Sequence, residues 1–311
     1  MLLRPIRRLL VPSLLLSQSQ NVARANMASF ASAPGSGTIR TGDGTVTVNP
    51  SAPYSGLVIL MHGLGDSAEG FADVAEMWAR SAPHIKFILP TAPTQPVTLN
   101  GGFPMPSWYD IIGLSERSNE NCEGIEQSRD TVIKIMEEEN KQGLAYDRMM
   151  LSGFSQGGAM SLFTGLQLPA EKKIAGVLAM SGYLAGAKQF SLSDAGKTTP
   201  VLHCHGTVDP MVQFPMAKKT ESTLKEAGIE NYELKAYEIQ HTVIPEELAY
   251  ALDFIKRCLP PDESCAVKEK EIDEMSVKEL KAAIRKGGLG SQAVGLVEKS
   301  ELRNLLKENK K

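Results

Sequence analysis

The sequence predicts an α/β protein, a mostly parallel sheet covered by helices on both faces. Two observations carry that prediction. Between Thr45 and Cys258, short apolar runs alternate with longer stretches whose apolar residues recur at helical spacing. Strands buried on both faces read as continuous hydrophobic runs, and such strands separated by helices belong to parallel sheets. The second observation is local. The strand-like Met149-Met150-Leu151 leads through Gly153-Phe154-Ser155-Gln156-Gly157 into the small, apolar stretch Gly157–Leu168, which is a strand, a tight turn and a packed helix in succession.

Residues 1–42 stand outside this pattern. Arg4, Arg7, Arg8, Arg24 and Arg40 occur there, serine and alanine are frequent, and no acidic residue precedes Asp43. Leu2, Leu3, Ile6, Leu9 and Leu10 with the first three arginines suit a short basic amphipathic helix. This composition predicts a transit peptide for a mitochondrion or another organelle. A secretory signal is the rival, but Pro12 interrupts its apolar core. A start at Met27 would instead leave a cytoplasmic form.

The elements then follow in order. Thr45–Val48 and Leu57–Met61 are strands, the second fully buried. A helix over Ala68–Arg80 places Phe71, Val74, Ala75 and Trp78 on one face, with Ser67 as its expected cap. Ile85–Leu89 is the next strand. A proline-rich loop runs from Pro90 to about Cys122, long enough to suggest a functional role. A helix over Gly124–Gln142, the strand and helix around Ser155, and the strands Ile174–Met180 and Val201–His205 come next. Helix Met216–Glu226, strand Tyr232–Glu238 and helix Pro245–Cys258 complete a domain spanning 43–261. Residues 262–311 read as a charged linker and a two-helix module. There Ser276-Val277-Lys278-Glu279 forms a capping box, and Gly287-Gly288 stops the first helix.

Bulk composition bounds the function. The 311 residues are 42% hydrophobic and 22% charged, with a net charge of -3, which disfavours nucleic acid as the main partner. No apolar run approaches the ~20 residues of a membrane span. Cys122, Cys204, Cys258 and Cys265 are scattered without zinc-ligand spacing.

A glycine-flanked serine between strand and helix is the context of a nucleophile elbow, and its hydroxyl needs a base and an acid to orient that base. In the usual order for this arrangement the acid and then the histidine follow the serine. After Ser155 the histidines are His203, His205 and His241. The first two share one face of a strand and, with no third ligand nearby, read as packed strand residues. His241 instead lies in the loop at a strand's carboxyl end, where ligands bind in such sheets. Asp194 sits in a Ser/Gly-rich turn, whereas Asp209 directly follows the strand ending at His205 and is placed to orient His241. Oxyanion donors are expected from the backbone N–H groups of Gln156 and Leu64, the latter in His62-Gly63-Leu64-Gly65-Asp66, where His62 braces the loop.

With these residues assembled, the chain resembles the acyl-protein thioesterase family of lysophospholipase/carboxylesterase-like serine hydrolases, over roughly residues 45–260. The matching segments are His62–Asp66, Pro93–Asn100, Pro106–Ile111, Gly153–Gly158, Cys204-His205-Gly206 with Asp209, and His241. The resemblance implies an α/β-hydrolase fold and hydrolysis of thioesters on protein cysteines. It further implies Ser155, Asp209 and His241 as the triad, Leu64 and Gln156 as oxyanion donors, and no metal or organic cofactor. It also places Met105, Pro106 and Trp108 along an acyl channel. One departure is Gln240-His241-Thr242, where the family has a small residue or methionine before the histidine and serine after it. The C-terminal module resembles SAP-like two-helix domains. Its expected partner is a protein, with nucleic acid the weaker alternative because no aromatic residue is there to stack on bases. Two rivals stand beside the thioesterase: a carboxylesterase or lysophospholipase using the same triad, and a non-catalytic binding protein on the same fold.

Overall fold

The computed structural model describes residues 37–113, 121–268, 271–286 and 289–309. They form two compact units, the first ending at Ala266 and the second beginning at Val267. The predicted transit segment lies almost wholly outside the described residues.

The first unit is built on strands β1 (Thr38–Arg40), β2 (Val46–Val48), β3 (Gly56–Met61), β4 (Ile85–Leu89), β5 (Thr94–Val97), β6 (Phe103–Pro106), β7 (Met149–Phe154), β8 (Gly176–Met180), β9 (Val201–Gly206) and β10 (Tyr232–Tyr237). Its helices are α1 (Ala72–Ser81), α2 (Ile125–Lys141), α3 (Gln156–Gly165), α4 (Asp194–Lys197), α5 (Phe214–Glu226) and α6 (Pro245–Cys258). The main sheet has the order β1-β2-β4-β3-β7-β8-β9-β10. From β4 to β10 all neighbours are parallel, while β1 and β2 join antiparallel at one edge.

Period-2 alternation explains the layers. Val58, Leu60, Phe87, Met150, Leu178, Met180, Leu202 and Cys204 project to the face covered by α1 and α6, whose Trp78 and Phe254 share the same core. The Trp78 indole donates to the Leu248 carbonyl at 3.1 Å, tying the two helices together. On the opposite face lies α3, every residue of which is buried. A Cβ on Gly165 would come within 2.5 Å of Val177, so the helix sits on the strands because a side chain is missing there. All six residues of β3 are buried, and burying each Val, Leu or Ile side chain stabilises by about 1.5–3 kcal/mol.

Three expectations need correction. The sheet begins at Thr38, before the domain start placed at 43, because β1 pairs with β2 through Ile39↔Thr47. Ser67 makes no side-chain cap; the helix opens instead with a 3-10 turn over Ala68–Phe71. The proline-rich loop contains a two-stranded hairpin, β5 against β6, turned by Gly101 and Gly102 at positive φ. Pro96, Pro104 and Pro106 lie in it, which an isolated hairpin tolerates and a central strand does not.

The second unit holds α7 (Val277–Lys286) and α8 (Lys299–Asn309) around Ile272, Leu280, Ile284 and Leu302. Its capping box is formed as expected: the Ser276 N–H donates to Glu279 at 2.6 Å, and the Glu279 N–H to Ser276 Oγ at 3.3 Å. Lys307 pairs with Asp273 at 2.7 Å. The expected stop at Gly287-Gly288 falls outside the described residues. No helix among the described residues is long and apolar enough to cross a membrane.

Candidate active site

The chain reverses its direction of sheet growth at β3, adding β4 on one side and β7 on the other. In parallel sheets, ligands bind at the strands' carboxyl ends beside such a reversal. Ser155 stands at that point, between β7 and α3, with φ 55° and ψ -117°. A non-glycine residue held at positive φ costs of order 1–3 kcal/mol and persists only where its surroundings over-determine it. Here they do. A Cβ on Gly153 would meet the Gly157 carbonyl at 2.3 Å, and one on Gly157 would meet the Met61 carbonyl oxygen at 2.1 Å. The Ser155 N–H donates to the Met180 carbonyl at 2.8 Å, and Ser155 C=O accepts from Ala159 at 3.0 Å.

His241 and Asp209 arrive from the loops after β10 and β9. His241 Nδ1 lies 2.6 Å from Asp209 Oδ2, and His241 Nε2 lies 2.9 Å from Ser155 Oγ. A carboxylate only accepts, so Nδ1 carries the proton and donates, which leaves Nε2 as acceptor for the serine O–H. The other Asp209 oxygen accepts from the N–H groups of Met211 at 2.8 Å and Val212 at 2.9 Å. Asp209 is thus both the turn residue its Asp-Pro context suggests and the partner of His241. The two loops are joined through backbone, Thr207 N–H to Tyr237 C=O at 2.7 Å and Val208 N–H to Ile239 C=O at 3.3 Å. Gly206 permits this approach, since a Cβ there would sit 2.3 Å from the Ile239 oxygen. The Phe154 ring packs on His241 with centroids 4.9 Å apart.

Facing Ser155 is the loop after β3. A Cβ on Gly63 would lie 3.4 Å from Ser155 Cβ, so this loop rests against the serine. The Asp66 N–H donates to Gly63 C=O at 3.2 Å and the Gly65 N–H to Pro106 C=O at 2.9 Å. Among the described hydrogen bonds none takes the Leu64 amide, which sits between them. Gln156 follows the serine at the first position of α3, where helical N–H groups lack intrahelical partners. His62 braces the loop as its position suggested. It accepts from Ala92 N–H at 3.0 Å through Nε2, so Nδ1 donates to the Gly63 carbonyl at 2.7 Å. Burial lowers its pKa, which keeps it neutral.

Met105 and Pro106 are half-buried on β6 beside this loop; a Cβ on Gly65 would lie 3.5 Å from Met105 Sδ. Trp108 differs from them. It is 1% exposed, and its indole N–H is engaged by the His62 carbonyl at 2.9 Å, so it supports the loop from beneath. Sequence reasoning also missed the side chain of Gln156. Its Oε1 accepts from the Trp108 N–H at 2.9 Å, and its Nε2 donates to Tyr109 C=O at 2.8 Å and Ser107 Oγ at 3.0 Å. A long polar side chain opening a helix of small and apolar residues was the available signal.

A family model described as phospholipase/carboxylesterase matches residues 43–259. The acyl-protein thioesterase 1 homolog 1 of Dictyostelium discoideum is 41% identical over 211 residues, 67% of this chain and 92% of that protein. Among solved structures, Arabidopsis thaliana SOBER1 superposes with a TM-score of 0.61 at 31% identity, covering 66% of this chain and 99% of that one. Zea mays acyl-protein thioesterase 2 superposes with a TM-score of 0.60 at 28% identity, covering 69% and 98%.

Proposed function

The chain belongs to the phospholipase/carboxylesterase family, and from that premise we propose that it is a serine hydrolase of acylated proteins. It cleaves the thioester joining a long acyl chain to a protein cysteine. Ser155 Oγ attacks the acyl carbonyl carbon while His241 Nε2 takes its proton and then delivers it to the departing sulfur. Water, deprotonated by His241, attacks the acyl-enzyme ester, and the proton returns to Ser155. Asp209 holds the imidazole in the tautomer that accepts at Nε2 and stabilises the imidazolium between the two transfers. The amides of Leu64 and Gln156 receive the oxyanion, each worth about 3 kcal/mol in the transition state. Met105 and Pro106 border the acyl chain; Trp108, buried, sets the loop they rest against.

The observation that carries this reading is the unbroken line from Ser155 Oγ through His241 to Asp209, at 2.9 and 2.6 Å. Its test is labelling by a fluorophosphonate together with hydrolysis of a palmitoylated peptide, on wild type and on Ser155→Ala. Labelling and peptide turnover, both lost in Ser155→Ala, are the expected results. A folded wild type that takes no label would leave a non-catalytic binding protein. The family's own description favours a second substrate range, lipid and small esters, cleaved by the same residues. Specificity constants on acyl-cysteine peptides against small esters rank the two.

Two further parts of the chain carry proposals of their own. The arginine-rich, acid-free residues 1–42 direct the enzyme to an organelle; a reporter fused to them that stays cytoplasmic would reject this. The second unit docks a protein partner, and deletion of 262–311 without change in location or bound proteins would reject that.

A further inference from the structure

Behind Asp209 runs a line of polar side chains that the chemistry above does not use. His203 and His205 project from β9 to one face, and both are fully buried. His205 Nε2 lies 2.7 Å from the Val212 carbonyl. A carbonyl only accepts, so this nitrogen carries the hydrogen and donates. His205 Nδ1 is then a bare lone pair, and His203 Nε2, 3.3 Å away, must donate to it. That leaves His203 Nδ1 as acceptor for the Tyr232 hydroxyl at 2.6 Å. The Gly182 carbonyl also draws on the His203 ring, opposing the effect of burial on it. The chain points one way, from Tyr232 through His203 and His205 to Val212. Its end is the residue whose own N–H grips Asp209 at 2.9 Å, and the same His205 Nε2–H lies 3.8 Å from the Asp209 oxygen that His241 holds.

Packing alone does not account for this arrangement. Two neutral imidazoles on a buried face cost desolvation that two leucines would not, and they are tolerable only fully hydrogen-bonded. We infer that His205 is a positioning residue for the reaction: it holds the Val212 carbonyl, and with it the pair of amides that orients the Asp209 carboxylate toward His241. His203 and Tyr232 hold His205 in the one tautomer able to do so. This rests on the reading of Ser155, His241 and Asp209 as the reacting triad.

The experiment compares steady-state kinetics of His205→Leu, His205→Gln and Tyr232→Phe with wild type. A glutamine amide reaches about where Nε2 does and donates to the same carbonyl; leucine cannot. Expected is a fall in kcat of about 10-fold or more for His205→Leu with KM little changed. His205→Gln should recover most of it. Tyr232→Phe, which removes one hydroxyl on the edge strand and keeps the packing, should lose about 3-fold in kcat. Wild-type kcat in His205→Leu overturns the inference, as does a glutamine variant no better than leucine. Should His205→Leu not fold, an unchanged kcat in Tyr232→Phe overturns it. Failure of the triad reading is separate: wild type would then take no fluorophosphonate label, or Ser155→Ala would keep turnover.

Discussion

Ser155 and His241 meet across one hydrogen bond, yet the halves of the site they belong to are held by different forces. On the serine's side backbone touches backbone: Gly153 and Gly157 leave no room for a Cβ between β7, β3 and α3, and Gly158 packs tightly against β7 and β8. On the other side are two loops with little regular structure, joined by hydrogen bonds and closed by burial. Asp209 is held by two amides, His241 by Asp209 and the Phe154 ring, and the loops by two backbone bonds. Hard contacts are all-or-none, whereas hydrogen bonds are lost one at a time. Substitutions in the serine's half should therefore act on stability, and those in the other half on rate.

The largest effect, and the sharpest test of that contrast, is Asp209→Asn. Its amide would offer a donor to Nδ1 and favour the tautomer that cannot accept from Ser155. Expected is a loss in kcat of roughly 10⁴-fold with the unfolding midpoint nearly unchanged. A large loss of stability in this variant would break the comparison. Next comes Gly157→Ala, whose Cβ would fall 2.1 Å from the Met61 oxygen. Overpacking against rigid backbone should cost about 3 kcal/mol or more by urea unfolding, and a variant as stable as wild type would show the elbow to be softer than its contacts indicate.

Buried titratable groups extend the contrast to pH. His203 is pushed down to about 3, first by burial and then by His205. A folded-state pKa below the unfolded value of about 6.5 means that its contribution is present above pH 6.5 and lost as pH falls toward 3. On α6, Glu247 is fully buried, and burial pushes it up to about 8 against the opposing effect of the Ile244 backbone N–H. Its sign is opposite: stability is present below the ordinary carboxylate range and lost as pH rises through 8. Stability should fall on both sides, and Glu247→Gln should flatten the alkaline limb, measured by urea midpoints from pH 4 to pH 9. An unaltered alkaline limb would remove Glu247 from this account. The smallest effect on stability is that of Ser155→Gly, which relieves the positive φ and should gain about 1 kcal/mol while removing the nucleophile and with it turnover. No gain would mean that the elbow stores little strain.

Much of this was legible without coordinates because it is local. The run of apolar strands and helical spacings is set by which faces each element must bury. Helix Pro245–Cys258 and strand Ile85–Leu89 agree with the expected bounds to the residue. Five consecutive residues from Gly153 to Gly157 announce the elbow, since only glycine fits such contacts. The hairpin Thr94–Pro106 was not legible: prolines hide strand character, and pairing with a neighbour is not a property of either strand alone. Strand Thr38–Arg40 was missed for the same reason, being short and stabilised only by its partner.

Sequence order and spacing determined the fold class, the elbow and the candidate acid and base, because sterics and periodicity act within a few residues. Only the tertiary structure decided the rest. Ser155 and His241 are 86 positions apart and meet at 2.9 Å, and Gln156 and Trp108 join across 48. The two strand histidines turned out to be links in a directed chain toward Asp209. Hydrogen-bond direction depends on which groups face one another after folding, and a linear order of residues does not contain it.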